Sequence, residues 1–435
     1  MSQEMSDSSE NLPDWYREGY DHVWLPYTQM QTAAKALPVK ETRGQTLTLA
    51  DGRELVDGIA SWWTACHGYN DPRMQKKIVQ QLSQMSHVMF GGLVHEPALR
   101  LAKRLADLLP GDLDHVFFSE SGSVAVEIAL KMAVQYWTNQ GIKGHNRFVS
   151  FRAGYHGDTT ATMAVGDTDD GMHQAFGDYL EDQYLVDLPV TTEQAAALDQ
   201  LLAEKKNEIA AVLIEPLIQG AGGMKFHGLD VLQRVARICS AHDVLLIADE
   251  IFTGFGRTGT MFACEQADIV PDIICLGKAL SGGMAPMAAT VAGKKVYDAF
   301  LSEDADKAFM HGPTYMANPL ACAAANASLD LFAEEPRLEQ VRRIEQHLGQ
   351  SFSHFRHYPN VVDVRVKGAV AVIEMTALPD RQKMQECFTR EGVWLRPFGN
   401  VIYLTPSFTI APDELAKLTQ AIDTMLTESM TGSAE

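Results

Sequence analysis

A lysine and an aspartate each follow a short apolar run in the middle of this 435-residue chain. Asp249 comes directly after VLLIA, and Lys278 comes directly after IICLG. Ligands of an open α/β sheet bind beyond the carboxyl ends of its strands, so these two side chains are expected to share a site. A lysine amine forms an imine with an aldehyde, and a carboxylate keeps a pyridine nitrogen protonated. Either residue alone is more often an ordinary strand-end charge. Together they point to a pyridine aldehyde, pyridoxal 5′-phosphate (PLP).

Two short motifs could hold the phosphate of such a cofactor. The start of a helix supplies free backbone N–H groups, which bind anions. Ser121-Gly122-Ser123 follows HVFFS and opens the helical pattern VAVEIALKMAVQYW, and Pro313-Thr314 precedes a second helical pattern of small residues. A plain serine cap explains the first motif equally well, and the second is weak by itself. The phosphate hypothesis therefore depends on both motifs occurring with the lysine and the aspartate.

Loops after two further apolar runs carry additional polar residues. Tyr155, in GYHG, is flanked by glycine and suits stacking on a cofactor ring. The adjacent His156 is more typical of a loop hydrogen bond than of a catalytic base, and Glu215 is equally well interpreted as lining the site or as structural. A G-x-G-x-x-G match at residues 254–259 is interpreted as a turn, because the two carboxylates directly before it would repel a pyrophosphate.

Apolar runs alternating with helical patterns predict the scaffold that positions these residues. The runs consist mostly of Val, Ile, Leu and Phe, which is typical of parallel strands covered on both faces. The predicted strands are 115–119, 148–151, 210–214, 244–248 and 273–276, and helices are predicted at 123–137 and 231–242. The pattern indicates a large α/β domain over residues 71–327. Residues 1–70 and 328–435 are predicted to form a smaller α+β domain together.

The composition disfavours several classes of protein. A formal net charge of −20 argues against nucleic-acid binding, because the phosphate backbone would be repelled. The six cysteines are widely spaced, which favours neither a disulfide framework nor a zinc site, and no metal is expected. No run approaches the roughly 20 apolar residues of a membrane span. The first 12 residues lack a signal-peptide pattern and are predicted to be a loose leader. We therefore expect a cytoplasmic protein without a membrane partner.

Taken in chain order, the motifs SGS, GYHG, IEP, ADEIFTGFGRTG, LGKALSGG and HGPT resemble those of the class III aminotransferases of PLP fold type I. The resemblance implies a large, mostly parallel seven-stranded sheet domain, a small domain from both termini, and a homodimer with active sites at its interface. It implies that Lys278 forms the imine with PLP and moves the substrate proton, that Asp249 pairs with the pyridinium nitrogen, and that Tyr155 stacks on the ring. The implied phosphate ligands are Gly122, Ser123, Pro313 and Thr314. The last of these is implied to reach the cofactor of the neighbouring subunit.

Longer segments, among them DGIASWWTACHGYNDP and GVWLRPFGNVIYLTP, resemble the class members that aminate 8-amino-7-oxononanoate (KAPA) to 7,8-diaminononanoate (DAPA) in biotin biosynthesis. S-adenosylmethionine is the usual amino donor of those members, and some use lysine. The implied substrate-site residues are Tyr27, Trp62, Tyr155, Lys278, Gly312, Arg396 and Arg257. Of these, Arg257 has the least defined role. Arg396 is implied to bind the substrate carboxylate.

The residues themselves agree with such a substrate. A nine-carbon keto acid is apolar along its length and anionic at one end, which suits an aromatic slot closed by a guanidinium group. Neighbouring side chains of a strand point to opposite faces. At least one of the adjacent tryptophans Trp62 and Trp63 is therefore expected to face a cleft or an interface.

Three other functions stay open on the sequence. A class III ω-aminotransferase that acts on a diamine, γ-aminobutyrate or β-alanine would share every cofactor residue and differ in the slot. A nicotinamide-dependent dehydrogenase would depend on the G-x-G-x-x-G match alone. A catalytically silent protein of the PLP fold is disfavoured because both Lys278 and Asp249 are present.

Overall fold

A computed structural model describes residues 12–169 and 171–431, so the predicted leader lies almost entirely outside the described residues. A seven-stranded sheet forms the centre of the fold. Its strands, in spatial order, are Leu113–Ser119, Ala288–Gly293, Ile273–Leu276, Leu245–Asp249, Ile209–Ile214, Arg147–Phe151 and Tyr184–Val186. Ala288–Gly293 runs antiparallel to both of its neighbours, and the other neighbouring pairs are parallel. The predicted large, mostly parallel seven-stranded sheet is confirmed.

All five predicted strands of this sheet are present, and two further strands were not predicted. Tyr184–Val186 has only three residues and lies at the sheet edge, too short for a recognisable pattern. Ala288–Gly293 has the sequence AATVAG, which is rich in residues with low strand propensity. Every residue of that strand is nevertheless buried, because it lies between two neighbours inside the sheet. Tertiary packing, rather than local propensity, makes it a strand.

Helices cover both faces of the sheet, as a parallel sheet requires. The longest of them, Gly122–Asn139, contains ten buried residues and packs against the strands of the sheet on one side. Its nearly uniform apolar character follows from that burial. The other helices before residue 335 are Asp14–Gly19, Pro72–Gln84, Glu96–Leu108, Thr160–Ala164, Thr192–Lys205, Leu229–Ala241, Ala263–Gln266, Lys294–Asp298 and Pro319–Glu334.

A second, four-stranded sheet joins the two ends of the chain. Its strands are Val39–Arg43, Thr46–Leu49, Glu54–Asp57 and Val393–Trp394. The last two run parallel, with Val393 opposite Val56 and Trp394 opposite Asp57. N-terminal and C-terminal segments thus pack together, as predicted for the smaller part of the fold.

The C-terminal part adds a three-stranded antiparallel sheet and three helices. The strands are Val361–Lys367, Val370–Met375 and Val401–Leu404, and the helices are Arg337–Phe352, Arg381–Arg390 and Pro412–Thr431. The helix Pro319–Glu334 runs across residue 327, where the sequence suggested a boundary. The division at residues 70 and 327 stays a prediction. Within residues 12–169 and 171–431, no helix is long and apolar enough to cross a membrane.

Candidate active site

A cavity of about 190 Å³ opens at the carboxyl ends of the central strands. Five of the predicted site residues line it, namely Gly122, Ser123, Tyr155, Asp249 and Lys278. Each follows or ends a different strand of the sheet or starts the helix behind it. The parallel arrangement brings these residues to one edge, which is the reason that residues from distant parts of the chain share one site.

Asp249 lines this cavity and is held by two hydrogen bonds. Its side chain is buried; Oδ1 accepts from the backbone N–H of Ile251 at 3.1 Å, and Oδ2 lies 2.8 Å from Nδ1 of His156. A carboxylate only accepts hydrogen bonds, so His156 carries its proton on Nδ1. No local pattern links this histidine to Asp249, because the two residues are 93 positions apart in the chain. The histidine fixes the orientation of the carboxylate that faces the cavity.

Lys278 follows the strand Ile273–Leu276 and adopts a left-handed backbone conformation with φ 46°. Its Nζ lies 4.7 Å from the centre of the Trp63 ring. Burial lowers the pKa of Lys278, while the nearby Asp249 and Glu215 carboxylates act in the opposite direction. A lowered pKa enlarges the fraction of neutral amine, which is the form that attacks an aldehyde.

Glu215 both lines the cavity and fixes the loop that borders it. Oε1 accepts from the backbone N–H of Tyr155 at 3.1 Å, and Oε2 accepts from that of Gly220 at 2.7 Å. Burial raises the pKa of Glu215 to about 7. The sequence left a lining role and a structural role equally open, and this geometry combines the two.

The opposite end of the cavity is the start of the helix Gly122–Asn139. Ser121 caps this helix, with its Oγ accepting from the backbone N–H of Val124 at 3.3 Å. Gly122 and Ser123 therefore present the first N–H groups of an 18-residue helix to the cavity. A Cβ atom at Gly157 would lie 2.7 Å from the Cα of Ser123, so only glycine allows the neighbouring loop to approach this closely. The close approach completes a cup suited to a phosphate group.

These three features fit PLP. The helix start suits its phosphate, the buried Asp249 held by His156 suits its ring nitrogen, and Lys278 suits its aldehyde. Tyr155 borders the same cavity as predicted.

Gly312, Pro313 and Thr314 lie outside the cavity. Gly312 and Thr314 are exposed, and none of the three residues lines the cavity of this chain. The helix of small residues that the sequence predicts after Pro313-Thr314 begins at Pro319. Asn318 caps it, with Oδ1 accepting from Leu320 and Ala321.

An aromatic wall lies on the solvent side of the site. The Tyr27 hydroxyl donates to Asp158 Oδ2 at 2.5 Å, and the Tyr155 hydroxyl donates to Oδ1 of the same carboxylate at 3.0 Å. The guanidinium carbon of Arg396 lies 4.7 Å from the Trp62 ring centre, and the rings of Tyr27 and Trp62 meet edge to face at 6.1 Å. The structure thus brings together four predicted substrate residues, and it adds Asp158, which no sequence motif marked.

The two tryptophans do not lie on a strand. Ala60, Ser61, Trp62 and Trp63 all have positive φ angles, of 47°, 47°, 52° and 75°, and form one left-handed turn. The expected strand geometry is wrong. The left-handed turn has no sequence signal, because none of its four residues is the glycine that usually marks such a conformation. Trp63 nevertheless lines the cavity and Trp62 forms part of the aromatic wall. Sequence reasoning did not identify Trp63 as a site residue.

Arg257 is buried away from the cavity. Its Nη1 donates to the backbone carbonyls of Ala369 and Pro406, and its guanidinium lies 4.6 Å from the Phe408 ring centre. No part of the side chain is exposed, so the structure does not bring this predicted substrate residue to the pocket. The surrounding G-x-G-x-x-G segment forms turns, as predicted, and no helix begins at Gly259.

Within residues 12–169 and 171–431, no group of three or more His, Cys, Asp or Glu side chains is placed to bind a metal ion. All six cysteines are free and buried.

Known proteins similar to this chain include several transaminases. The adenosylmethionine-8-amino-7-oxononanoate aminotransferase of Mycobacterium leprae (strain TN) is 43% identical over 410 residues, which are 92% of this chain and 94% of that protein. The crystal structure of the aminotransferase of the same name from Methanocaldococcus jannaschii has a TM-score of 0.89 at 34% identity and covers 95% of this chain and 98% of its own. A PLP-bound amine transaminase from an uncultivated Pseudomonas species has a TM-score of 0.86 at 31% identity, covering 93% of this chain and 98% of its own.

The family model described as aminotransferase class-III matches residues 27–426, nearly the whole chain. That match agrees with the order of motifs in the sequence and with the cavity that unites Lys278 and Asp249. This chain belongs to the class III aminotransferases.

Proposed function

We propose that this aminotransferase moves the amino group of S-adenosylmethionine to 8-amino-7-oxononanoate, giving 7,8-diaminononanoate for biotin biosynthesis. The observation that carries the proposal is the position of Arg396 at the end of an aromatic wall made by Trp62 and Tyr27. An apolar chain with a terminal carboxylate matches a wall of rings that ends in a guanidinium group. The names of the relatives from Mycobacterium leprae and Methanocaldococcus jannaschii support the same substrate.

PLP is the cofactor of this enzyme and, when bound, supplies the electron sink that stabilises negative charge on the substrate carbon. Lys278 would hold the cofactor through its aldehyde carbon, and the lowered pKa of Lys278 favours the neutral amine that this attachment needs. The same Nζ would take the proton from the substrate carbon that bears the donor amine. Asp249 Oδ2, oriented by His156, would keep the ring nitrogen protonated.

Several residues of the chain bind and orient without exchanging protons with the substrate. Gly122 and Ser123, at the helix start, would hold the phosphate, and Tyr155, which lines the same cavity, would cover the ring. Arg396 binds the substrate carboxylate and Trp62 borders its apolar chain. In this assignment Arg257 acts indirectly, since its side chain is buried in the core and donates to the carbonyl of Pro406.

A homodimer completes this proposal. The exposed position of Thr314, outside the cavity of its own chain, suits a contact to the phosphate in a neighbouring subunit. Large apolar side chains are exposed in the same part of the chain, with Met310 81% and Tyr315 62% exposed. A subunit interface there would bury them.

Mixing two inactive variants tests the dimer directly. A Lys278→Ala subunit lacks the amine but keeps Thr314, and a Thr314→Val subunit keeps the amine but lacks the hydroxyl. If Thr314 serves the neighbouring site, mixed dimers contain one intact site and regain activity. If mixed samples that exchange subunits stay inactive, Thr314 acts within its own chain, and if Thr314→Val is active by itself, Thr314 does not serve the site.

The substrate proposal is tested by amination of 8-amino-7-oxononanoate with S-adenosylmethionine and with lysine as alternative donors. Formation of 7,8-diaminononanoate with S-adenosylmethionine alone supports the proposal, and formation with lysine alone changes the donor. Failure with both donors, combined with turnover of γ-aminobutyrate or a diamine, would move the enzyme to another class III activity.

We also infer a cytoplasmic location. Six free, buried thiols suit a reducing compartment, where disulfides are rare. Fractionation of cells followed by an activity assay checks this inference, and activity found outside the cytoplasmic fraction would contradict it.

A further inference from the structure

The left-handed turn Ala60–Trp63 is an unusual feature of this active site. L-amino acids disfavour the left-handed region because their Cβ atom crowds the following carbonyl oxygen. Where residues other than glycine do adopt this conformation, they do so singly rather than in runs. Here four successive residues occupy it. Such strain persists only where the surrounding structure imposes it, and it concentrates at functional sites.

The carboxylate of Asp57 provides the hydrogen bonds that impose this turn. Asp57 ends the strand Glu54–Asp57 and is 2% exposed. Oδ1 accepts from the backbone N–H of Ile59 at 2.8 Å, and Oδ2 accepts from that of Ser61 at 2.9 Å. The hydroxyl of Tyr69 also donates to Oδ2, at 2.5 Å, and lies 2.5 Å from Ser61 Oγ. Three donors therefore converge on one buried carboxylate at the entrance of the turn.

The turn determines where the two tryptophan rings lie. Trp63 packs on Phe252 with 4.3 Å between ring centres and lies beneath Lys278 Nζ. Trp62 lies under the guanidinium of Arg396. A regular strand would send these neighbouring side chains to opposite faces. The left-handed backbone instead places one ring at the cofactor cavity and the other at the substrate wall.

Asp57 is also fixed relative to Arg396. Its strand pairs in parallel with Val393–Trp394, and Trp394 lies opposite Asp57. The backbone N–H of Gly58 donates to the carbonyl of Trp394 at 3.0 Å. The segment that carries Arg396 thus starts beside the residue that holds the tryptophan turn, so one strand pair sets both halves of the Trp62–Arg396 contact.

We propose that Asp57 is a positioning residue for the transamination: it holds Ala60–Trp63 in the left-handed turn and thereby places Trp62 against Arg396 at the carboxylate end of the substrate. This inference rests on the proposed function, because it assigns the keto acid to that wall. Asp57 itself does not line the cofactor cavity. Trp63 is buried and packs on Phe252, whereas Trp62 is exposed, so loss of the turn is expected to displace Trp62 more than Trp63. The effect of Asp57 is therefore expected on substrate binding more than on turnover.

Glycine substitutions separate this role from a general contribution to folding. Asn at position 57 keeps the size of the side chain but loses one acceptor, so Asp57→Asn is expected to raise KM for 8-amino-7-oxononanoate by roughly tenfold. The expected change in kcat is less than about threefold. Adding Ala60→Gly should recover most of the lost affinity, since glycine adopts φ 47° without support.

Ala65→Gly is the matched control, because Ala65 is buried in the same segment but has no positive φ angle. It is expected to leave the raised KM of Asp57→Asn unchanged. An unchanged KM in a folded Asp57→Asn enzyme overturns the proposal, as does equal recovery with Ala60→Gly and Ala65→Gly. If Asp57→Asn does not fold, Tyr69→Phe with and without Ala60→Gly decides by the same two criteria, since it removes one donor to the carboxylate.

A substrate-free measurement keeps this test separate from the proposed function. Near-ultraviolet circular dichroism of the PLP-loaded enzyme reports the surroundings of tryptophan rings. We expect Asp57→Asn to change this spectrum and Ala60→Gly to restore it. If the wild-type enzyme does not aminate the keto acid, the proposed function fails, and this spectrum alone decides whether Asp57 holds the turn. An unchanged spectrum would then overturn the inference.

Discussion

Replacing Arg396 by alanine tests where the carboxylate of the keto acid binds. The guanidinium lies over the Trp62 ring and is half-buried, and burial lowers the pKa of Arg396. Tyr27 and Tyr403 favour its charged form, and no carboxylate among residues 12–169 and 171–431 forms an ion pair with it. A partly desolvated cation without a protein counter-charge is suited to an anionic ligand.

The magnitude follows from one contact to a charged group. A hydrogen bond to a charged partner contributes about 1.5–3 kcal/mol, and 1.4 kcal/mol corresponds to a tenfold change in affinity. Arg396→Ala is therefore expected to raise KM for 8-amino-7-oxononanoate by roughly 10- to 150-fold. Arg396 does not line the cavity that contains Lys278, so kcat should change much less than KM. Arg396→Lys should fall between wild type and alanine, because it keeps the charge and loses the planar fork.

Initial rates at saturating S-adenosylmethionine and varied keto acid give KM and kcat for each variant. Arg381→Ala is the control, because this exposed arginine acts on Arg396 through its charge and lowers its pKa. Solvent and salt screen exposed charges, so the control is expected to change KM by less than about threefold. An unchanged KM for Arg396→Ala would refute the assigned carboxylate contact. An equal rise in both variants would show that the overall field, not the contact, binds the substrate.

Three further predictions concern the cofactor site and the core. Lys278→Ala should fold normally and lose turnover together with the yellow absorbance of the PLP-loaded enzyme; near-normal transamination would contradict its role. The rate at which PLP reconstitutes the apoenzyme should rise with pH, because only the neutral amine of Lys278 attacks, and should level off below the pH at which a free lysine amine titrates, because burial lowers that pKa. A rate that still rises beyond that pH would refute the lowered pKa. Glu250→Ala should reduce the free energy of unfolding by roughly 2–6 kcal/mol, because the backbone N–H groups of Ala263 and Cys264, each 2.7 Å from its carboxylate, lose a buried acceptor. Denaturant unfolding measures this loss, and a change below about 1 kcal/mol would contradict it.

The cofactor site is the part that local sequence signals predict well. Lys278 and Asp249 each follow a continuous apolar run, and such runs become parallel strands whose carboxyl ends meet. Gly122 and Ser123 start an unmistakable helical pattern. For these residues, the adjacent sequence predicts both the type of chemistry and the position in the fold.

The substrate side was only partly predictable. Arg396 by itself looks like a surface arginine, and only the resemblance to a family assigned it to the substrate. Trp63 and Asp158 have no sequence signature, and Arg257 was expected at the substrate but lies in the core. Segments of irregular backbone form this side, and no periodic pattern of side chains specifies such segments.

The sequence by itself therefore determined the fold class and the cofactor, and it singled out Lys278 as the lysine proposed to bind that cofactor, because each depends on residue types at short spacing. The tertiary structure alone decided that His156 orients Asp249 across 93 residues, and that the tandem tryptophans form a left-handed turn. It also decided that this turn lies beside Arg396. The physical reason is common to all three: each depends on hydrogen bonds or ring contacts between segments that are distant in the chain. In the turn, such contacts also stabilise a backbone conformation that local preference disfavours.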